Sequence, residues 1–182
     1  PIITRVLSII PTENDKNMIL AVDNKRNLFN ISDFSNSTSI CVEGDVIECM
    51  PSKVYGNSIT LDENSFVRKL DNDESIPSLS QLRTKINDVK VDGNYCIESI
   101  ILKVPERREV QTKSGESIAL SEMFVEDDTG QIWVKGWRNQ ARIIDKCELG
   151  EIVSITGLNA KAGLEGRIEL FLTAFSKISK KN

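Results

Sequence analysis

The chain has 182 residues, of which 40% are hydrophobic and 27% charged, with a net charge of −4; this is typical of a globular protein with one large or two small domains. Because it has no histidine, Ser-His-Asp and Cys-His catalysis and histidine-ligated zinc are excluded, and the acidic balance argues against a surface coated with cations for nucleic acid. No apolar run approaches the ~20 residues of a transmembrane helix. No two cysteines form a CxxC pair, so we expect the cysteines to be buried free thiols in a reducing compartment.

The first half of the chain predicts about five strands and no long amphipathic helix. Runs of β-branched and other apolar residues predict the strands at 2–10, 18–23, 27–34 and 45–50, with a last one inside 58–70. An acidic stretch with proline and several serines follows and indicates a linker at residues 73–83.

The second half repeats this pattern with a helix added. Strands are predicted at 94–104, 117–126, 131–137, 151–160 and 167–175, with a long polar loop at 105–116 and a short helix at 139–147. Five strands with a helix between the third and fourth are the layout of the OB-fold, a small Greek-key barrel. The sequence therefore predicts an all-β chain, with one short helix, built of two tandem five-stranded OB-fold barrels at residues 1–72 (acidic and degenerate) and 84–182.

Charge separates the two halves. Residues 1–76 hold 7 Lys and Arg against 12 Asp and Glu, whereas residues 77–182 hold 16 against 15. The second half is therefore the better candidate for binding a polyanion.

The strand at 131–137 carries an unusual outward row. Because side chains alternate along a strand, Trp133, Lys135 and Trp137 share the face opposite the core, with Phe124 beside them on the preceding strand. Bases stack on such rings while cations hold phosphates. The cations near this face are Lys103, Arg107, Arg108 and Lys113 in the first long loop, Lys135 and Arg138 on or after the third strand, and Lys161 and Arg167 at the last loop. There are alternatives to these roles. Phe124 and Trp133 could pack against the other domain or cover the side of the barrel, and Arg107 and Arg108 could be solvated loop charges.

The run VEDDTGQIWVKGW (125–137), with ELGEIVSITG (148–157), resembles single-stranded DNA-binding OB domains of the replication protein A type, over residues 84–178. The polar loop around Lys161 and the lack of histidine favour the archaeal branch. The resemblance implies that Trp137 stacks on a base and that Arg107 and Arg108 hold the backbone. That family often has a second stacking aromatic residue in the loop between strands four and five, and residues 158–166 contain none.

Other candidates follow from weaker patterns. In the first half, Phe29 and Phe34 are expected on the third strand and Tyr55 near the last hairpin, where each could stack on a base or pack. In the second half, we expect Asp127 and Asp128 to be structural rather than a metal site, with Asp128 bonding the backbone of the glycine turn.

These features predict a non-enzymatic protein that binds single-stranded DNA with little sequence preference in replication, repair and recombination, without cofactor, metal or membrane. The alternatives are an OB-fold RNA binder and a protein-interaction subunit, in which the first OB-fold contacts replication or repair proteins or further OB subunits. The expected location is intracellular: cytoplasmic if the source is archaeal, nuclear if eukaryotic.

Overall fold

β-Strands make up most of both halves of the chain. The computed structural model describes residues 1–14 and 16–181, which divide into two units, Pro1–Leu82 and Arg83–Asn182. We call these the first and second unit. The predicted fold class, tandem OB-folds in a mostly β chain, is confirmed.

The first unit is a curled antiparallel sheet with one parallel pair. Its strands are β1 Ile2–Pro11, β2 Asn17–Val22, β3 Leu28–Asp33, β4 Val46–Met50, β5 Lys53–Tyr55, β6 Ser58–Leu61 and β7 Phe66–Leu70, in the sheet order β5-β6-β3-β2-β1-β4-β7. The segment 58–70 thus holds two strands where one was predicted. A short 3-10 helix, Ser37–Ile40, stands where the OB-fold helix would be.

Strand four of the first OB-fold is divided into β4 and β5, which are separated by residues 51 and 52. Pro51 has no N–H and cannot continue the ladder, while the N–H of Ser52 donates to the carbonyl of Thr60, 3.1 Å away. The strand therefore changes partner at Pro51, and this change curls the sheet around a core of β-branched residues. Ile19, Ile31 and Ile47 in that core are fully buried.

The beginning of the segment predicted to be a linker is packed onto the first unit. The guanidinium of Arg5, which is 9% exposed, donates to the carbonyl oxygens of Asp73 at 2.8 Å and Ile76 at 3.0 Å and to Oδ1 of Asn72 at 3.0 Å. Ile76 is itself buried. A single helical turn, α1 Leu79–Leu82, completes the unit.

The second unit is a closed barrel. Its elements are β8 Asn94–Ile101, β9 Glu106–Gln111, β10 Ser117–Glu126, β11 Gln131–Trp137, α2 Asn139–Asp145, β12 Ile152–Ala162, β13 Ile168–Phe171 and β14 Lys177–Lys180, with 3-10 helices at Ile86–Asp88 and Leu164–Gly166. Strand β8 pairs with β10 and β12, β10 with β11, β11 in parallel with β13, and β13 with β12. These pairings close the five-stranded ring.

Two strands of the second unit were not predicted. The stretch 105–116, expected to be a loop, contains β9, which pairs with the first half of β10 as a hairpin. Strand β14, the second of these, pairs antiparallel with residues 153–156 of β12. Alternation in β9 is obscured by its charged residues, so the period-two signal of a half-buried strand is absent there.

Helix α2 contacts the barrel through polar side chains and through a close approach of its backbone to β11. Asp145 at its end accepts hydrogen bonds from the Ser121 hydroxyl and from Arg107. A Cβ atom on Gly136 would lie 2.8 Å from the carbonyl carbon of Gln140, so this strand position requires glycine. The predicted inward face of the helix is confirmed, since Ala141 and Ile144 are fully buried.

All four cysteines are free and buried, as the sequence predicts. Burial raises the pKa of the Cys49 and Cys147 thiols to about 11, and a thiol rather than a thiolate is a poor nucleophile. We therefore expect no reaction of the folded protein with Ellman's reagent at pH 8, and four reacting thiols in denaturant. Rapid reaction of one thiol without denaturant would contradict the packing described here.

Within the part of the chain that the structure describes, no helix is long and apolar enough to cross a membrane.

Candidate nucleic-acid interface

Two aromatic rings form a pair on the outer face of the second unit. The register of β10 and β11 places Phe124 directly opposite Trp133, and their ring centroids are 4.9 Å apart with the planes inclined by 46°. The ammonium of Lys103 lies 5.4 Å from each centroid. Both rings are half-buried, so they keep accessible surface on which a planar group can stack.

The aromatic pair lies in a groove of about 590 Å³. Lys103 follows β8 and Arg167 precedes β13, so cations from two different loops border the same groove as the rings. The lining residues are Ile86, Asn87, Val89, Lys103, Phe124, Gly130, Gln131, Ile132, Trp133, Arg167 and Ile168.

A turn between β10 and β11 holds one wall of this groove in place. Asp127 accepts the N–H of Ile86 at 2.8 Å and the N–H groups of Thr129 and Gly130. Burial alone would raise the pKa of Asp127, but these hydrogen bonds outweigh it and hold the pKa below its ordinary value. The N–H of Asn87 also donates to the Thr129 hydroxyl. The carboxylate is therefore a structural anchor for residues 86–89.

The prediction for Asp128 is wrong in its detail. Asp127, and not Asp128, binds the backbone of the glycine turn. Asp128 instead forms an exposed ion pair with Lys85 at 2.7 Å. The sequence places two carboxylates side by side in this turn and does not indicate which of them binds its backbone.

Four of the predicted cations are available for a ligand. Within residues 1–14 and 16–181, none of them forms an ion pair, and each is exposed. Lys161 lies 5.5 Å from the ring centroid of Phe171 on the neighbouring strand. These four are Lys103, Lys113, Lys161 and Arg167.

The other predicted cations are already paired with carboxylates. Lys135 lies 2.6 Å from Glu169 and 3.7 Å from Glu122, and only 15% of its side chain is exposed. It is therefore a weaker candidate for phosphate than the sequence pattern indicated. Arg138 pairs with Glu116 at 3.1 Å in a surface contact that a ligand could displace.

Arg107 and Arg108 lie on a strand and not in a loop. Adjacent residues on a strand point to opposite faces: Arg107 contacts Asp145 of α2, and Arg108 lies 2.9 Å from Glu122. Both are exposed, but their divergence means that they do not line one groove together.

Trp137 lies at the far end of the aromatic row. It is half-buried, opposite Leu120 in the β10–β11 register, and it is not among the described residues that line the groove. The position that the family resemblance indicated is therefore separate from the Phe124–Trp133 pair.

The aromatic candidates of the first unit differ in exposure. Phe29 packs against the core. Phe34 follows directly after β3 rather than lying on it; it is 57% exposed, with the Lys16 ammonium 4.5 Å from its centroid. Tyr55, on β5, is 89% exposed.

Several groove residues were not predicted. Ile86 and Val89 come from the segment before the barrel. Apolar residues three positions apart are typical of a helical turn, and this spacing does not by itself point to a groove. Nothing in the sequence pointed to Asn87 or Gln131. Outside the groove lining, Leu164 in the loop between β12 and β13 is an apolar side chain that is 84% exposed. Its position between turn-forming glycines was the signal that could have singled it out.

The sequence is similar to a known replication protein over part of its length. No protein-family model matches it. Over 121 residues, which are 65% of this chain, it is 25% identical to replication factor A of Methanothermobacter thermautotrophicus, and the chain spans 15% of the length of that protein. The predicted resemblance to proteins of the replication protein A type is confirmed by this match.

Solved structures with this fold include several DNA complexes. A murine DNA-binding protein bound with double-stranded DNA has a TM-score of 0.61 at 14% identity, covering 98% of this chain and 94% of that chain. A replication protein A heterotrimer bound to single-stranded DNA has a TM-score of 0.58 at 14% identity, covering 100% and 48%. Tetrameric p202 HIN2 reaches 0.65 at 15% identity, covering 100% and 93%. At these identities the similarity establishes the fold.

Proposed function

We propose that this protein is a non-enzymatic, intracellular DNA-binding protein whose second unit binds single strands of varied sequence. The observation that carries the proposal is the Phe124–Trp133 pair in a groove bordered by Lys103 and Arg167. The partial match to an archaeal replication factor A supports it, as does the fold shared with a replication protein A heterotrimer bound to single-stranded DNA. Roles in replication, repair and recombination belong to this proposal.

The groove offers the two interactions on which single-strand binding depends. Unpaired bases expose flat apolar faces, and stacking on an aromatic ring contributes about 1–3 kcal/mol per base. Lys103 and Arg167 can neutralise phosphates and release their counterions. A duplex hides the base faces, so the rings of this groove favour a single strand.

Salt dependence tests the electrostatic part. If the four unpaired cations each neutralise one phosphate, the logarithm of the association constant should fall with the logarithm of salt concentration with a slope of about −3. Fluorescence anisotropy of a labelled single strand at several salt concentrations measures this slope. Replacing Lys103 and Arg167 by alanine should make the slope shallower by about 1.4, whereas Arg142→Ala, which removes an exposed charge on α2, should leave it unchanged.

The same titration separates the alternative ligands. Single-stranded DNA, RNA of equal length and double-stranded DNA are compared at one low salt concentration. Tightest binding of the DNA single strand supports the proposal. A clear preference for RNA or for the duplex contradicts it, and absence of binding to all three would instead favour a protein-interaction subunit.

The first unit is proposed as a surface for protein partners, such as replication or repair proteins or further OB subunits. Residues 1–76 contain seven Lys and Arg and twelve Asp and Glu. This excess of negative charge repels a polyanion. We expect Tyr55→Ala, which removes its most exposed aromatic ring, to leave oligonucleotide affinity unchanged within twofold. A larger loss, measured by anisotropy, would show that the first unit also contacts the strand.

A further inference from the structure

Three charged side chains lie together on the outer sheet face that carries the aromatic pair. Glu122, Lys135 and Glu169 belong to β10, β11 and β13, and their side chains are 19%, 15% and 13% exposed. Arg108 also lies 2.9 Å from Glu122, so two cations balance the two carboxylates of this group.

Glu169 keeps one oxygen free for a ligand. Its Oε2 lies 2.6 Å from the Lys135 ammonium, while Oε1 has no hydrogen-bond partner among residues 1–14 and 16–181. The parallel register pairs Val134 with Leu170 and Lys135 with Phe171, and continuing it by one residue puts Glu169 beside Trp133. A base stacked on Trp133 would therefore lie next to the strand position that carries this carboxylate.

A glycine makes room for this carboxylate. A Cβ atom on Gly163 would lie 2.4 Å from Oε1 of Glu169, so any other residue at 163 would displace the carboxylate. The backbone at Gly163, with φ −93°, is one that alanine also adopts. Space for Glu169, rather than backbone freedom, is thus the structural reason for glycine here.

We infer that Glu169 selects bases that carry an exocyclic amino group over thymine at the position stacked on Trp133. An ionised carboxylate accepts hydrogen bonds and cannot donate them. The amino groups of cytosine, adenine and guanine donate to such an acceptor. The one donor on the pairing edge of thymine, N3–H, lies between two carbonyl oxygens that the carboxylate repels. This inference rests on the proposed function and adds a moderate base preference to it.

The test compares oligo-dC with oligo-dT of about 12 nucleotides, within the usual site size of an OB-fold, by anisotropy at one salt concentration. We expect oligo-dC to bind about fivefold or more tightly. Glu169→Gln should bring the ratio of the two affinities close to one. Glu148→Gln removes an equal charge at an exposed position outside the groove, and should preserve the ratio although it raises both affinities slightly.

A second variant keeps the charge and moves the carboxylate. Gly163→Ala should reduce the dC preference as Glu169→Gln does, with the net charge unchanged, and far-ultraviolet circular dichroism establishes that both variants fold. Equal binding of oligo-dC and oligo-dT by the unaltered protein overturns the inference and leaves the proposed function intact. A preference that survives in both variants also overturns it. Binding of neither oligonucleotide overturns the proposed function, and the inference with it.

Discussion

Replacing Phe124 and Trp133 by alanine is expected to weaken single-strand binding about tenfold to a hundredfold for each ring, with the larger loss in the double variant. The two rings are 4.9 Å apart and border one groove, so each supplies part of the same stacking surface. Loss of one also removes a ring that lies near the Lys103 ammonium. Anisotropy titration of a labelled single strand measures the affinities.

Trp137→Ala is the matched control for this pair. It removes an indole from the same face of the same strand, but from a position outside the groove lining. We expect a much smaller loss of affinity than for Trp133→Ala. If Trp137→Ala abolishes binding while the Phe124 and Trp133 variants bind normally, the bound DNA lies at the other end of β11. The family resemblance indicated that position, because it implies that Trp137 stacks on a base.

Asp33→Asn is expected to destabilise the first unit by about 1.5–3 kcal/mol, the contribution of hydrogen bonds to a buried charge. The Asp33 carboxylate is fully buried and accepts the N–H and hydroxyl groups of both Ser35 and Thr38. An amide cannot accept all four bonds, and its NH₂ group would face donors. Amide hydrogen exchange should become faster in peptides of the first unit and stay unchanged in those of the second.

Acid should remove this contribution. Burial by itself would raise the pKa of Asp33, but the hydrogen bonds from Thr38 and Ser35 lower it below its ordinary 3.8. Since the folded-state pKa is depressed, the stabilisation is complete above pH 3.8 and is lost as the pH falls through the lower, folded-state value. The difference between Asp33→Asn and the unaltered protein should therefore shrink below pH 4.

Asp73 offers a control with the same local motif. Like Asp33, it bonds the N–H and hydroxyl of a serine two residues later, but its carboxylate is exposed. Asp73→Asn should change hydrogen exchange little, because water can replace the lost bonds. An equal effect of the two substitutions would mean that burial is not what makes Asp33 important.

The strands of the barrels could be predicted because their signals are local. Alternating apolar residues in 117–126 and 131–137 match β10 and β11 in both bounds, and the same alternation indicated that Phe124 and Trp133 share a face. The hairpin strand β9 could not be predicted, because its residues are almost all exposed and show no apolar period.

Local sequence patterns could not predict which cations of the interface pair with carboxylates. The sequence predicted Lys135 as a cation for phosphate. Its partners Glu122 and Glu169 are 13 and 34 positions away and meet it only through the pairing of β11 with β10 and β13. In the same way, Asp127 holds Ile86, which is 41 residues earlier. Such contacts follow from sheet register, which no single stretch of sequence specifies.

The fluorescence of Trp133 tests the central claim most directly, because the chain has only two tryptophans and Trp137→Phe leaves Trp133 as the single reporter. Titration of this variant with a single-stranded oligonucleotide should quench its emission saturably, at the concentrations at which anisotropy reports binding, and salt should reverse both signals together. Binding detected by anisotropy with unchanged Trp133 emission would contradict the placement of the strand on the Phe124–Trp133 pair.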